Sequence, residues 1–423
     1  MSAGSRTGPL DSRVRRGVAC PPVPLLQTSL LRQREFRALG LSCGFDWLAA
    51  VGEQVALGWL TLELTDSPLM VGVALGLRMA PLLVVGIPAG VLADRVDGTR
   101  LLRTTGALLA AASAILGLLV LLGVVRVWHL LLLTLVSGSA RALQQAARQR
   151  YSHDLAGAGS LVHALALLGL AMRVGGLAGS LLAGALTARL GAGAAYLAAT
   201  AGYLASALVL IPAPAGPRRA AAGDASVWRG FADFLRALRH DRLLAGLIVL
   251  TAGAEMLGFS HQAVLPSLAR DVLAVGAGGL GAMTAARSAG GILGILAVSG
   301  LGQARATGGV FLGVLFVFGG SLVGLGFASS FAWVLLLLLL VNAMGGLSDI
   351  LSQSLIQLGA PSGQRGRAGG AWVVAIGTAP LGQLQIGALA SLLGVSAALG
   401  VSGLGLILVT AAAAFCFPRL RAL

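Results

Sequence analysis

Twelve apolar runs, each cut off by glycine, proline or charge, divide this chain. Their approximate limits are 38–64, 69–93, 101–123, 127–147, 160–188, 192–212, 243–265, 279–301, 308–327, 332–357, 369–392 and 395–417. A helix rises about 1.5 Å per residue, so about 20 such residues cross a hydrocarbon layer about 30 Å thick. Within that layer every backbone N–H and C=O must be satisfied inside the segment, which favours the helix. The expected fold is all-α, a polytopic membrane protein with twelve transmembrane helices. Composition points the same way: 57% of the 423 residues are hydrophobic and 11% are charged. A soluble domain carries about a quarter charged residues, so an ordinary soluble enzyme is excluded, as is a disordered chain. The 62 glycines have no fixed period, which excludes collagen.

The net charge is +15 and every basic residue is arginine. A nucleic-acid partner would be one explanation, but the distribution favours another. If the N-terminus is cytoplasmic, 23 arginines fall on the cytoplasmic side, three on the opposite side (Arg126, Arg189, Arg270) and four within spans. Basic residues of multispan proteins collect in cytoplasmic loops. Both termini are therefore expected to be cytoplasmic, in the cell membrane, with no nucleic acid bound.

Residues 1–37 read as a basic, disordered tail. Residues 38–212 and 243–417 form two six-helix bundles, and 418–423 a short cytoplasmic end. Between the bundles, 213–242 opens with Pro214 and Pro217 and then repeats Trp228, Phe231, Leu235 and Leu238 at helical spacing. That pattern predicts an amphipathic helix in the membrane interface.

The bundles repeat each other. At an offset of 209, Gly44-Phe45-Asp46 falls on Gly253-Ala254-Glu255, Gly72 on Gly281, and Arg78 on Arg287. At an offset of 203, Gly179 and Gly184 fall on Gly382 and Gly387. Matched intramembrane charges are informative because such charges are rare. Two like bundles imply a pseudo-two-fold axis along the membrane normal with a central site between them, the plan of a transporter.

The intramembrane acids are Asp46, Glu53, Glu255 and Asp349, and the bases Arg78, Arg141, Arg173 and Arg287. Each costs at least about 2.5–3.5 kcal/mol at the bilayer centre unless paired or hydrated. Matching depths along the helix axes predicts three pairs: Asp46 with Arg141, Glu53 with Arg78, and Glu255 with Arg287. Asp46 and Glu53 lie two turns apart on one helix face. A carboxylate between a dry and a charged environment can load and release protons, so both are candidates for proton coupling. Interhelical clamping is the competing role for the other pairs.

Gly90-Val91-Leu92-Ala93-Asp94-Arg95-Val96-Asp97-Gly98-Thr99-Arg100 resembles the signature loop of the major facilitator superfamily, and it stands between spans 2 and 3 as in that family. The resemblance implies that Asp94 is the charged centre of a cytoplasmic latch, with Gly90 allowing close helix contact, Arg95 and Arg100 as basic partners, and Gly98 as the motif's second glycine. Asp97 is an extra residue relative to the family pattern. Leu31-Arg32-Gln33-Arg34-Glu35-Phe36-Arg37, Leu62 to Pro68, and Arg365-Gly366-Arg367 are similar to the drug–proton antiporter branch that includes macrolide and siderophore exporters. By the same resemblance Arg141 is the proton-coupling arginine of span 4. Gly175, Gly179 and Gly184 match the antiporter glycine motif, with Ser180 in place of its usual proline.

No phosphate-binding loop, metal-ligand cluster or nucleophile–base set is legible, so no cofactor and no enzymatic activity are expected. The predicted function is proton-coupled efflux of a small amphiphilic compound, such as a drug, antibiotic or siderophore, by alternating access in a monomer surrounded by lipid. An importer of the same fold and a non-transporting sensor or scaffold are the alternatives.

Overall fold

The computed structural model describes residues 30, 32–211, 242–301, 308–359 and 375–421. The first bundle contains α1 (Arg34–Thr65), α2 (Pro68–Arg95), α3 (Gly98–Leu121), α4 (Val127–Leu190) and α5 (Ala192–Val209). The second contains α6 (Arg242–Gly253), α7 (Gly276–Leu301), α8 (Gly308–Phe327), α9 (Phe331–Gly359), α10 (Ala379–Leu393) and α11 (Val395–Cys416). Helix α6 continues through a π turn (Ala254–Gly258), a 3-10 stretch (Phe259–Val264), a short helical turn (Leu265–Ser267) and a second π turn (Leu268–Val272).

Helix α4 joins the two spans expected at 127–147 and 160–188 without a break in its hydrogen-bonded helix. Its 64 residues would reach about 96 Å if straight. They are not straight: Arg141 in its first half meets Asp46 of α1, and Gly175 in its second half lies against Gly44, also of α1. Counting both arms of α4, and α6 with its continuation as one, the described residues make twelve helical crossings. The tail expected to be disordered through residue 37 is helical from Arg34. The remainder of the tail before Leu30 and the interfacial helix expected in 213–242 lie outside the described residues.

Short turns reverse the chain between crossings. Asp66 takes a left-handed φ of 50° after α1, and its N–H bonds to the Leu62 carbonyl. Gly191 and Gly394 take φ of 84° and 86° at equivalent turns in the two bundles, a region that glycine enters without a Cβ penalty. Large apolar side chains such as Phe327, Phe415 and Leu392 are exposed, whereas Asp46, Glu53, Glu255 and His261 are buried. This arrangement suits a hydrocarbon solvent.

The bundles meet along the half that holds the α1–α2 turn. Gln54 Nε2 donates to Gln262 Oε1 at 2.9 Å. A Cβ on Gly58 would fall 2.8 Å from Pro266, and Arg270 Nη1 donates to the Leu62 carbonyl at 3.1 Å and to Asp66 Oδ1 at 2.8 Å. The offset glycines supply further contacts. Gly184 of α4 lies on Gly281 of α7, and Gly387 of α10 lies on Gly72 of α2. The same repeat operates within bundles: Gly179 lies on the backbone of Leu48, and Gly382 on the backbone of Met256.

Candidate functional site

A charge cluster is built inside the first bundle. Asp46 and Glu53 of α1 are 2% and 6% exposed. Arg141 of α4 reaches both, with Nη1 3.7 Å from Asp46 Oδ2 and Nη2 3.9 Å from Glu53 Oε2. Arg148 Nη1 adds a second contact to Asp46 Oδ2 at 3.4 Å. Tyr203 of α5 closes the cluster: its hydroxyl accepts from Arg141 Nη2 at 2.7 Å and donates to Glu53 Oε2. The guanidinium carbon of Arg141 is 5.6 Å from the tyrosine ring centroid, within cation–π range. Two carboxylates are thus held by two guanidinium groups and one phenol, while Asp46 Oδ1 stays without a hydrogen-bond partner.

Two of the expected pairs are different in the structure. Arg78 does not bind Glu53. It donates to the Ala50 carbonyl at 2.8 Å and to Gln54 Oε1 at 3.3 Å. Depth along a helix says nothing of azimuth: Glu53 turns toward α5, and Arg78 approaches α1 from α2. Glu255 and Arg287 form no ion pair among the described residues. Glu255 sits in the π turn Ala254–Gly258, and the widened turn changes which face each residue presents. Asp349 is the acid within electrostatic reach of Glu255, and also of Arg173. Arg173 crosses between the bundles, its guanidinium lying over Gly291 of α7.

A cavity of about 500 Å³ opens between the bundles beside this cluster. Trp47, Arg78, Arg141, Arg173, Arg287 and Gln383 are among the residues that line it. Asp46 and Glu53 stand behind Arg141 rather than in its wall. Gln54 and Gln262 form its floor at the closed half.

At the signature loop, the surroundings of Gly90 and the side chains of Asp94 and Arg95 lie outside the described set. Gly98 packs on Tyr151, and Arg100 is exposed. The extra residue Asp97 is the N-cap of α3, its Oδ1 accepting from the N–H groups of Thr99 at 2.8 Å and Arg100 at 3.2 Å. In the glycine motif, Gly175 and Gly179 bring α4 onto α1, whereas Gly184 faces the other bundle. Burial raises the Tyr151 phenol, in the turn region between the two arms of α4, to about 12.

Sequence reasoning missed Tyr203, Arg148, Gln54 and Gln262. Tyr203 is one of three tyrosines in the chain, and a buried phenol within a span requires a partner. Gln54 and Gln262 come within one residue of the repeat offset. Arg148 looked like a loop arginine because helix α4 was expected to end before it.

Two bundles of crossings around an interbundle cavity with charged and polar residues in a mainly apolar wall are the architecture of a membrane transporter of the major facilitator type. The sequence profile described as transmembrane secretion effector matches residues 27–422, and the chain belongs to that family. No curated protein matches it in sequence. Among solved structures, it is similar to a bacterial homologue of the human lysosomal transporter Spinster in an inward-facing, unoccupied conformation, at 14% identity and a TM-score of 0.72, covering 91% of this chain and 97% of that one. It is also similar to a POT family transporter in complex with a thioalcohol-conjugated peptide, at 12% identity and a TM-score of 0.73 over 92% and 96%. The nucleoside transporter NupG gives 12% identity and a TM-score of 0.71 over 90% and 99%. At these identities the likeness is one of fold.

Proposed function

We propose that this protein is a secondary transporter that exports a small amphiphilic compound across the cell membrane in exchange for protons, with both termini cytoplasmic. The observation that carries this reading is the cluster of Asp46, Glu53, Arg141, Arg148 and Tyr203 directly behind the cavity wall. The family's description as secretion effectors supports the outward direction, and the arginine distribution supports the orientation. In that orientation the closed half faces outside and the cavity is approached from the cytoplasm.

Helix α1 carries both parts of the coupling. One face of it holds Asp46 and Glu53 against α4 and α5, while Gln54, Gly58 and its C-cap Asp66 meet the other bundle. A proton on Glu53 or Asp46 removes a negative charge that holds Arg141, which loosens α1 from α4. Loss of the proton restores the clamp. Because α1 is continuous, that change reaches the closed half within a turn or two, and proton and cargo take turns in setting which half is shut.

The test is flux in proteoliposomes under an imposed pH gradient, comparing wild type with Asp46→Asn and Glu53→Gln. The expected result is that either substitution abolishes the dependence of flux on the gradient while downhill exchange persists. Unchanged gradient dependence in both would remove these residues from the proton path.

A further inference from the structure

We infer that the cavity is built to hold an organic anion, gripped between Arg78 of one bundle and Arg287 of the other. This rests on reading the cavity as the cargo site and names the class of cargo.

Four guanidinium groups face the cavity, Arg78, Arg141, Arg173 and Arg287, and no carboxylate among the described residues does. Their compensation is unequal. Arg141 has Asp46 and Glu53. Arg173 has Asp349 within electrostatic reach. Arg78 hydrogen-bonds only to neutral acceptors, the Ala50 carbonyl and Gln54, with Glu53 within electrostatic reach but not in contact. Arg287 has no hydrogen bond or ion pair among the described residues, and its Nε is buried and unpartnered. The charge bearing most strongly on it is another guanidinium, Arg173.

A glutamine at either position would avoid the cost of an intramembrane cation. The chain instead keeps arginine at both, at equivalent positions of the repeat, one on each side of the cavity. Arginine presents a planar fork of donors that matches carboxylate, phosphate or sulfonate oxygens. An anion entering this slot supplies the direct ion pair that neither Arg78 nor Arg287 has among the described residues, and it touches both bundles at once. Trp47, Met79 and Met172 add an apolar wall for the body of the molecule. A cationic cargo of the same size would meet Arg78 and Arg287 and, among the described lining residues, no acid.

The experiment uses the purified full-length chain and three naphthyl probes of matched shape: naphthalene-2-sulfonate, 2-naphthol and 2-naphthyltrimethylammonium. Binding is read by tryptophan fluorescence and carriage by counterflow in proteoliposomes. The sulfonate is expected to bind at least tenfold more tightly than the other two. Arg287→Gln and Arg78→Gln are each expected to weaken it at least tenfold, and Arg287→Lys, which keeps the charge but loses the fork, to fall between wild type and Arg287→Gln. Equal or tighter binding of the cation or the neutral probe overturns the inference, as does binding of none of the three at millimolar concentration. The wild-type comparison does not depend on any variant folding. Sulfonate binding without counterflow strikes the transporter reading and leaves the anion site standing. Counterflow of the cation alone does the reverse.

Discussion

Gln54 and Gln262 hydrogen-bond to each other across the boundary between the two bundles, amide to amide at 2.9 Å. Each lies on the first crossing of its own bundle. Arg78 donates to the other end of the same amide, Gln54 Oε1, at 3.3 Å, so the cavity lining and the closed half share one side chain.

That contact should hold the closed half shut. A hydrogen bond of this kind contributes about 0.5–1.5 kcal/mol. Gln262→Ala is therefore expected to shift the balance between closed and open by roughly two- to tenfold. Distances between spin labels at Leu64 and Asp271 in a cysteine-free background would report it, as growth of a longer-distance population. An unchanged distribution would mean that Gly58, Pro266 and Arg270 close that half unaided.

The repeat glycines make a second prediction. Gly382→Ala places a Cβ 2.6 Å from the Met256 carbonyl oxygen, and Gly179→Ala meets the Leu48 backbone more closely still. Each is expected to cost about 1–3 kcal/mol or more. Gly313→Ala and Gly320→Ala meet nothing within 4 Å and serve as controls. Thermal unfolding in detergent should separate the two pairs by several degrees.

Tyr203 is expected to matter beyond packing. Tyr203→Phe keeps the ring over Arg141 but deletes the hydroxyl that joins Arg141 to Glu53. Leaving a buried charged group short of a partner costs about 1–3 kcal/mol or more. Proton-driven flux should fall in this variant while the protein remains monodisperse. Flux equal to wild type at every imposed gradient would limit Tyr203 to a structural role.

Asp97 tests the reading of the altered signature loop. As the N-cap of α3 it satisfies two backbone N–H groups. Asp97→Ala should destabilise by about 1 kcal/mol, and Asp97→Asn far less, because asparagine caps equally well. Equal melting temperatures for both variants would show that the cap is not what keeps an extra residue at this site.

Much of this site was readable before any fold was known. Asp46, Glu53, Arg78, Arg141, Arg173 and Arg287 stood out because charge within an apolar run is costly and needs a reason. The pairing of Asp46 with Arg141 followed from depth alone, since α1 and α4 pack face to face. The same reasoning failed for Glu53 with Arg78 and for Glu255 with Arg287. Rise along an axis fixes height, whereas the direction in which a side chain points depends on how each helix is rotated. The π turn that holds Glu255 had no signature in its residues.

The solvent, the number of crossings and the repeat follow from local quantities: hydropathy per span, turn chemistry and residue spacing. Helix packing settled which guanidinium meets which carboxylate, that α4 folds back without a helical break, and that Arg287 faces the cavity with no ion pair among the described residues. Those outcomes depend on azimuth and on contacts between segments far apart in the chain. A one-dimensional pattern limits such contacts, but the packing of helices against one another selects among them.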